Sequence, residues 1–312
     1  MNIVANALLP VFLVIALGVV LKRTLLKSEE AWQSIERLTY FVLFPALLIV
    51  TTGTADLTGI PARGMAIAMI APFAVVAALL LLLRPALMRA FTLSGPSFTS
   101  IFQGSTRWNS YISLALAGAL YGAEGLALTS VALIALVPLF NLVSVWVLAH
   151  FASDEKMDAR TITGHILRNP LIWSCIAGIA INLAGLPLPK FAVAFGDILG
   201  RASLAIGLLL VGAGLAIGDV WKLDAGIVTA TILKLVLLPV IAILLGKTLG
   251  LEGPPLAIVV IVASVPTAPA TYVLARQMGG DAPLIARILT FQTAVAFVTV
   301  TIALAAAGIL WL

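Results

Sequence analysis

Residues 103–113 read QGSTRWNSYIS, in the middle of a long apolar run. Gln103, Thr106, Arg107, Asn109 and Ser110 bring amide, hydroxyl and guanidinium groups together there. That set suits an anion with a planar pair of oxygens. Arginine presents a fork of donors that grips a carboxylate bidentately, and the amides and hydroxyls add further donors and acceptors. A second polar stretch, SVPTAPATY over 264–272, carries Pro266, Thr267, Pro269, Thr271 and Tyr272. Four further polar residues stand singly in apolar surroundings. Lys234 is placed to neutralise a substrate charge or to pair across helices. Gln292 is placed to face the same region. Asp197 and Arg201 stand four apart, hence on one helix face. They read as a mutually neutralised pair, with a proton-linked switch as the sharper alternative.

The same inventory argues against catalysis. His150 and His165 stand at segment ends, without cysteine or carboxylate partners at ligand spacing, so no metal site is expected. There are no clustered aspartates for magnesium and no paired intramembrane aspartates for a protease. No cofactor is expected beyond a coupling ion, H+ or Na+.

The elements that must position these groups are transmembrane helices. Hydrophobic residues make up 62% of the 312-residue chain and charged ones only 10%, against about a quarter charged in a soluble domain. Apolar runs and breakers predict ten spans over 4–21, 35–54, 64–83, 97–120, 125–150, 166–185, 191–217, 225–246, 254–277 and 283–311. The first run has no basic residue before it, with Lys22 and Arg23 after it, so it reads as a span rather than a signal peptide. The single cysteine, Cys175, excludes an intrachain disulfide.

Basic residues set the orientation. With both termini outside, Lys22, Arg23, Lys27, Arg37, Arg84, Arg89, Lys156, Arg160, Arg168, Lys222, Arg276 and Arg287 fall on the inner side. Only Arg63, Lys190 and Lys247 fall on the outer side. This asymmetry accounts for the net charge of +5 without a nucleic-acid partner.

Five spans precede the charged stretch 153–165 and five follow it. The expected units are therefore 1–152, a cytoplasmic loop 153–165, and 166–312, crossing the membrane in opposite senses. Aligning Glu124 with Asp281 sets Asn109 opposite Pro266 without a gap, and both aligned stretches end in glycine plus a carboxylate. Two interrupted helices at matching places in inverted halves are the sequence pointer to a transporter binding site near the midplane. A proline removes a backbone donor and clashes with the carbonyl four residues back. With Pro266 and Pro269 three apart, the helix must open. Open backbone in a bilayer is tolerated only against protein or a water-filled cavity.

LLPVFLVIALGVVLKR (8–23), IERLTYFVLFPALLIVTT (35–52), ILRNPLIWSCIAGIAINLAGLPLP (166–189), LGRASLAIGLLLVGAGL (199–215), LKLVLLPVIA (233–242) and SVPTAPATYVLARQMGGD (264–281) together resemble the auxin efflux carrier family. That family includes plant PIN-type auxin exporters and bacterial malonate/malate permease-like proteins. The resemblance implies an all-α fold of ten helices in two inverted five-helix repeats, with broken helices 4 and 9 crossing, as in bile-acid symporters and sodium/proton antiporters. It implies a homodimer with a scaffold of spans 1, 2, 6 and 7 and a mobile unit of spans 3–5 and 8–10, working as an elevator. In plant relatives a Pro-Asn pair marks the span-four break, and its Asn contacts the substrate carboxylate. Here the matching residues are Trp108 and Asn109.

The expected function is transport of small organic anions, auxin-like or dicarboxylate, across a plasma membrane, the bacterial inner membrane. It is driven by ion coupling or by potential. An anion channel and an intramembrane enzyme are the alternatives.

Overall fold

The computed structural model describes residues 2–54, 61–152, 170–216, 218 and 223–309. The expected loop 153–165, the start of the sixth span, His165, and the orientation residues Lys156, Arg160, Arg168 and Lys222 lie outside the described residues.

The elements of the described chain are all helices. Helix α1 covers Asn2–Thr24, α2 Glu29–Leu38 and α3 Phe44–Thr54, with a π-helical turn Thr39–Leu43 joining the last two. Helix α4 covers Ala62–Ala90, α5 Gly95–Thr106 and α6 Ser110–Phe151. Helix α7 covers Pro170–Leu183 and α8 Lys190–Ala213. Helices α9 (Ala225–Ile232) and α10 (Leu238–Thr248) join through a second π-helical turn, Leu233–Leu237. Helix α11 covers Gly253–Ser264, α12 Ala270–Gln277 and α13 Ala282–Ala306.

Among the described residues, six helical stretches are long and apolar enough to cross a membrane: Glu29–Thr54, Ala62–Ala90, Gly95–Phe151, Lys190–Ala213, Ala225–Thr248 and Ala282–Ala306. Trp173–Leu183 and Gly253–Ser264 are shorter apolar helices. The protein is thus an all-α, multi-pass membrane protein. The Gly95–Phe151 stretch is divided twice, by the extended residues 107–109 and by Gly122, whose φ of 55° is left-handed.

Local chemistry explains the helix ends. Ser28 caps α2 by accepting from the Ala31 amide, Glu29 and Glu30 follow in the first turn, and Arg37 closes the last. Ser94 caps α5 and Asp281 caps α13, each followed by a proline near the start of its helix. These two caps are joined. Ser97 Oγ donates to Asp281 Oδ2 at 2.9 Å, and Ser100 Oγ donates to the Asp281 carbonyl at 2.9 Å.

Packing falls into two groups. Helix α1 runs along α8, and α3 runs along α7 and α8. The other helices gather around α5 and α11, with α4, α6, α9, α10 and α13 against them. Every residue from Phe98 to Thr106 and from Leu256 to Thr267 is buried. A helix enclosed on all sides has no need of an amphipathic stripe, which is why α11 is apolar all round.

The α1–α8 seam is built on glycine. A Cβ at Gly212 would land on the Ile15 backbone carbonyl, and one at Gly18 on that of Leu209. The two backbones touch because neither position has a side chain. Gly212→Leu must therefore push α1 and α8 apart, at a cost of at least 1–3 kcal/mol as an order of magnitude. A lower melting temperature of the purified protein, with little change from Gly218→Ala in open space, is the expected result.

Candidate functional site

Helix α5 stops at Thr106 because the next residue turns extended. Arg107 has φ −87° and ψ 158°, and its amide still reaches the Gln103 carbonyl at 2.9 Å. Two residues later Asn109 caps α6. Its Oδ1 accepts from the amides of Tyr111 and Ile112, at 3.1 and 3.2 Å. Helix α11 stops in the same way at Ser264, with Val265 extended at φ −70° and ψ 151°. Pro266 and Pro269 keep the chain open until α12 starts at Ala270.

The two openings meet. The Asn109 amide donates to the Pro266 carbonyl at 2.9 Å, and Thr267 Oγ1 donates to the Gln103 carbonyl at 3.3 Å. Gln292, fully buried on α13, binds both sides. Its Oε1 accepts from the Thr267 amide at 2.9 Å, and its Nε2 donates to the carbonyls of Gly104 at 3.0 Å and Ala230 at 3.3 Å. One carboxamide thus satisfies backbone groups on three elements.

A cavity of about 480 Å³ opens beside this junction. Arg107, Trp108, Asn109, Ser110 and Tyr111 come from the first break, and Ala268, Pro269, Ala270, Val273 and Leu274 from the second. Glu36, Arg37, Tyr40 and Phe41 come from α2 and its π-helical turn, and Val137, Phe140 and Val145 from α6. The N-terminal ends of α6 and α12, at Ser110 and Ala270, both face it. A second cavity, of about 370 Å³, shares Glu36, Tyr111, Pro269 and Val273 with the first and adds Lys22, Glu29, Tyr272 and Arg276.

The expected site residues divide accordingly. Arg107, Asn109, Ser110 and Pro269 line the larger cavity, and Tyr272 lines the smaller. Asn109 Nδ2 is buried with no acceptor among the described residues, so it is a donor beside the larger cavity that the described fold leaves unused. Pro266, Thr267, Thr106 and Thr271 serve the junction itself. Thr106 Oγ1 donates to Phe102 and Thr271 Oγ1 to Ala268, both to backbone oxygens. Gln292 is the staple described above and lies outside both linings. Gln103 is fully buried, and among the described residues neither end of its amide has a partner. Lys234 is fully buried away from both cavities. Asp197 and Arg201 are exposed on α8, line neither cavity and form no ion pair with each other.

Glu36, Arg37, Tyr40, Phe41 and Phe140 were not among the expected residues. The signal for the first group lay in α2, whose strong segregation of polar and apolar faces marks it as different from its neighbours. Phe140 looks like any core aromatic until α6 is placed.

A family described as membrane transport protein matches residues 156–304. That stretch, a little under half of the chain, is similar to this family of membrane transport proteins. The resemblance to auxin efflux carriers is borne out there. The match covers the second broken helix and the Gln292 staple, which bond directly to the first break. No curated protein matches the chain. The similarity points to membrane transport.

Gln292→Leu keeps the shape and removes three hydrogen bonds to buried backbone. It should cost about 2 kcal/mol, read as a lower melting temperature in detergent. Gln103→Leu loses no bond and should leave that temperature unchanged or raise it.

Proposed function

We propose that the protein is a secondary transporter of amphipathic organic anions, each with one carboxylate and an apolar body. The observation that carries this reading is the larger cavity. Its polar end holds Arg107, the unused Nδ2 of Asn109 and two helix N-termini. Helix N-termini carry partial positive charge and favour anions. Its walls are Phe41, Val137, Phe140, Val273 and Leu274, which suit an apolar body better than a second carboxylate. At about 480 Å³ it has the size of a small-molecule site.

The wider reading has ten crossings in two inverted repeats. In its support, α5 and α11 are both 12 residues long, and Gly122 and Gly279, paired by the alignment of Glu124 with Asp281, take positive φ of 55° and 75°. Helices α1–α3, α7 and α8 then form the scaffold, and α4–α6 with α9–α13 the moving unit, in a homodimer with both termini outside. The two packing groups, one of them sealed by glycine contacts, support that division. An anion leaving the cell is driven by the membrane potential, since one charge crossing 100 mV is worth about 2.3 kcal/mol.

Purified protein in liposomes should take up phenylacetate in preference to malonate, saturably and with counter-flow. Arg107→Ala should weaken phenylacetate binding roughly 10- to 100-fold, the value of a charge-assisted hydrogen-bond pair, with Arg107→Lys intermediate. Malonate preference would overturn the substrate class. Unchanged affinity in Arg107→Ala would remove the arginine from the site, and single-channel conductance would replace the carrier by a channel.

A further inference from the structure

Both interrupted helices end inside the protein, and each end has a cation beside it. Helix α5 ends at Thr106, followed at once by Arg107, which faces the larger cavity. Helix α11 ends at Ser264, and there the cation comes from a different helix. Lys234, in the π-helical turn after α9, is 0% exposed and donates from Nζ to the Ala263 carbonyl at 3.1 Å. The same Nζ lies 4.7 Å from the centroid of the Phe73 ring, on α4. Among the described residues no carboxylate forms an ion pair with it.

Those partners define what the position takes. A helix C-terminus carries partial negative charge on its last carbonyls, and an aromatic face attracts a cation. A carbonyl oxygen and an aromatic face are both partners that suit an ammonium group. The π-helical turn Leu233–Leu237 adds a residue to the helical register there, a distortion that tends to accompany functional positions.

We infer that Lys234 is a resident cation: it fills, by a covalently attached ammonium, a monovalent-cation site at the end of α11 that would otherwise need a soluble ion. Its partners are Ala263 and Phe73, and it takes no part in gripping the substrate. The inference is independent of the substrate class. Its consequence is that the junction is complete in the absence of sodium or potassium.

The test uses the purified full chain and reads melting temperature with sodium, potassium or N-methylglucamine as the sole cation. The wild type should be indifferent to this exchange. Lys234→Ala should melt lower and be restored by n-propylammonium, which replaces the deleted atoms, but not by 1-propanol, its neutral analogue. Lys234→Met, which fills the space without charge, should remain low. Wild-type stability in Lys234→Met, or equal rescue by 1-propanol and n-propylammonium, would overturn the inference, since either makes volume rather than charge the requirement. Should neither variant fold, Lys234→Arg decides. Folding of this variant supports a cation site, and its failure alongside the others assigns the position to the lysine's shape.

Discussion

The constraint on which the rest depends is the open backbone at two places in an apolar interior. A helix inside a membrane satisfies its own amides and carbonyls, and interrupting it exposes several at once, each costly if left unpaired. Here the two interruptions answer each other. The Asn109 amide finds the Pro266 carbonyl, Thr267 finds Gln103, and Gln292 bonds the Thr267 amide and the Gly104 carbonyl. Neither break could stand alone. Helices α5 and α11 are consequently enclosed on every side, and α13 must pass close enough for Gln292 to reach both. Gly104 permits that approach, because a Cβ there would crowd the Ile288 side chain.

The breaks also sort charge. Their C-terminal ends carry partial negative charge; Lys234 bonds a carbonyl at the end of α11, and Arg107 directly follows the end of α5. The N-terminal ends of α6 and α12 carry partial positive charge and face the larger cavity. The two cations have unlike surroundings. Arg107 is partly buried and lines that cavity, and Lys234 is sealed against Phe73 and the Ala263 carbonyl. Chemical role follows from access rather than from residue type.

The elevator movement proposed above would depend on how the two packing groups meet. Within the first group, backbone-to-backbone glycine contacts leave no room to slide. Between the groups, α6 meets α3 through the stacked rings of Phe44 and Tyr111, 4.8 Å apart and nearly parallel. Flat ring faces can part and reseat without breaking backbone hydrogen bonds. Tyr111 also lines both cavities, so this contact lies where any change of access would have to be felt.

The sequence by itself determined the solvent and the breaks. Composition placed the chain in a membrane, because apolar runs of this length have nowhere else to be buried. Pro266 and Pro269 dictated one break, since proline cannot continue a helix hydrogen-bond ladder. The polar run at 103–110 announced the other, and the family resemblance was legible in the order of its apolar stretches. What those polar side chains face was decided only by the tertiary structure. Gln292 and Arg107 are both polar residues in apolar segments, yet one staples backbone and the other lines a cavity. Lys234 gave no sign of Phe73, more than a hundred residues earlier in the chain. Glu36, Tyr40 and Phe41 joined the cavity because α2 packs across the junction. The reason is physical: residue type and spacing fix which groups a helix carries, but a partner on another helix is chosen by packing, which has no period in the sequence.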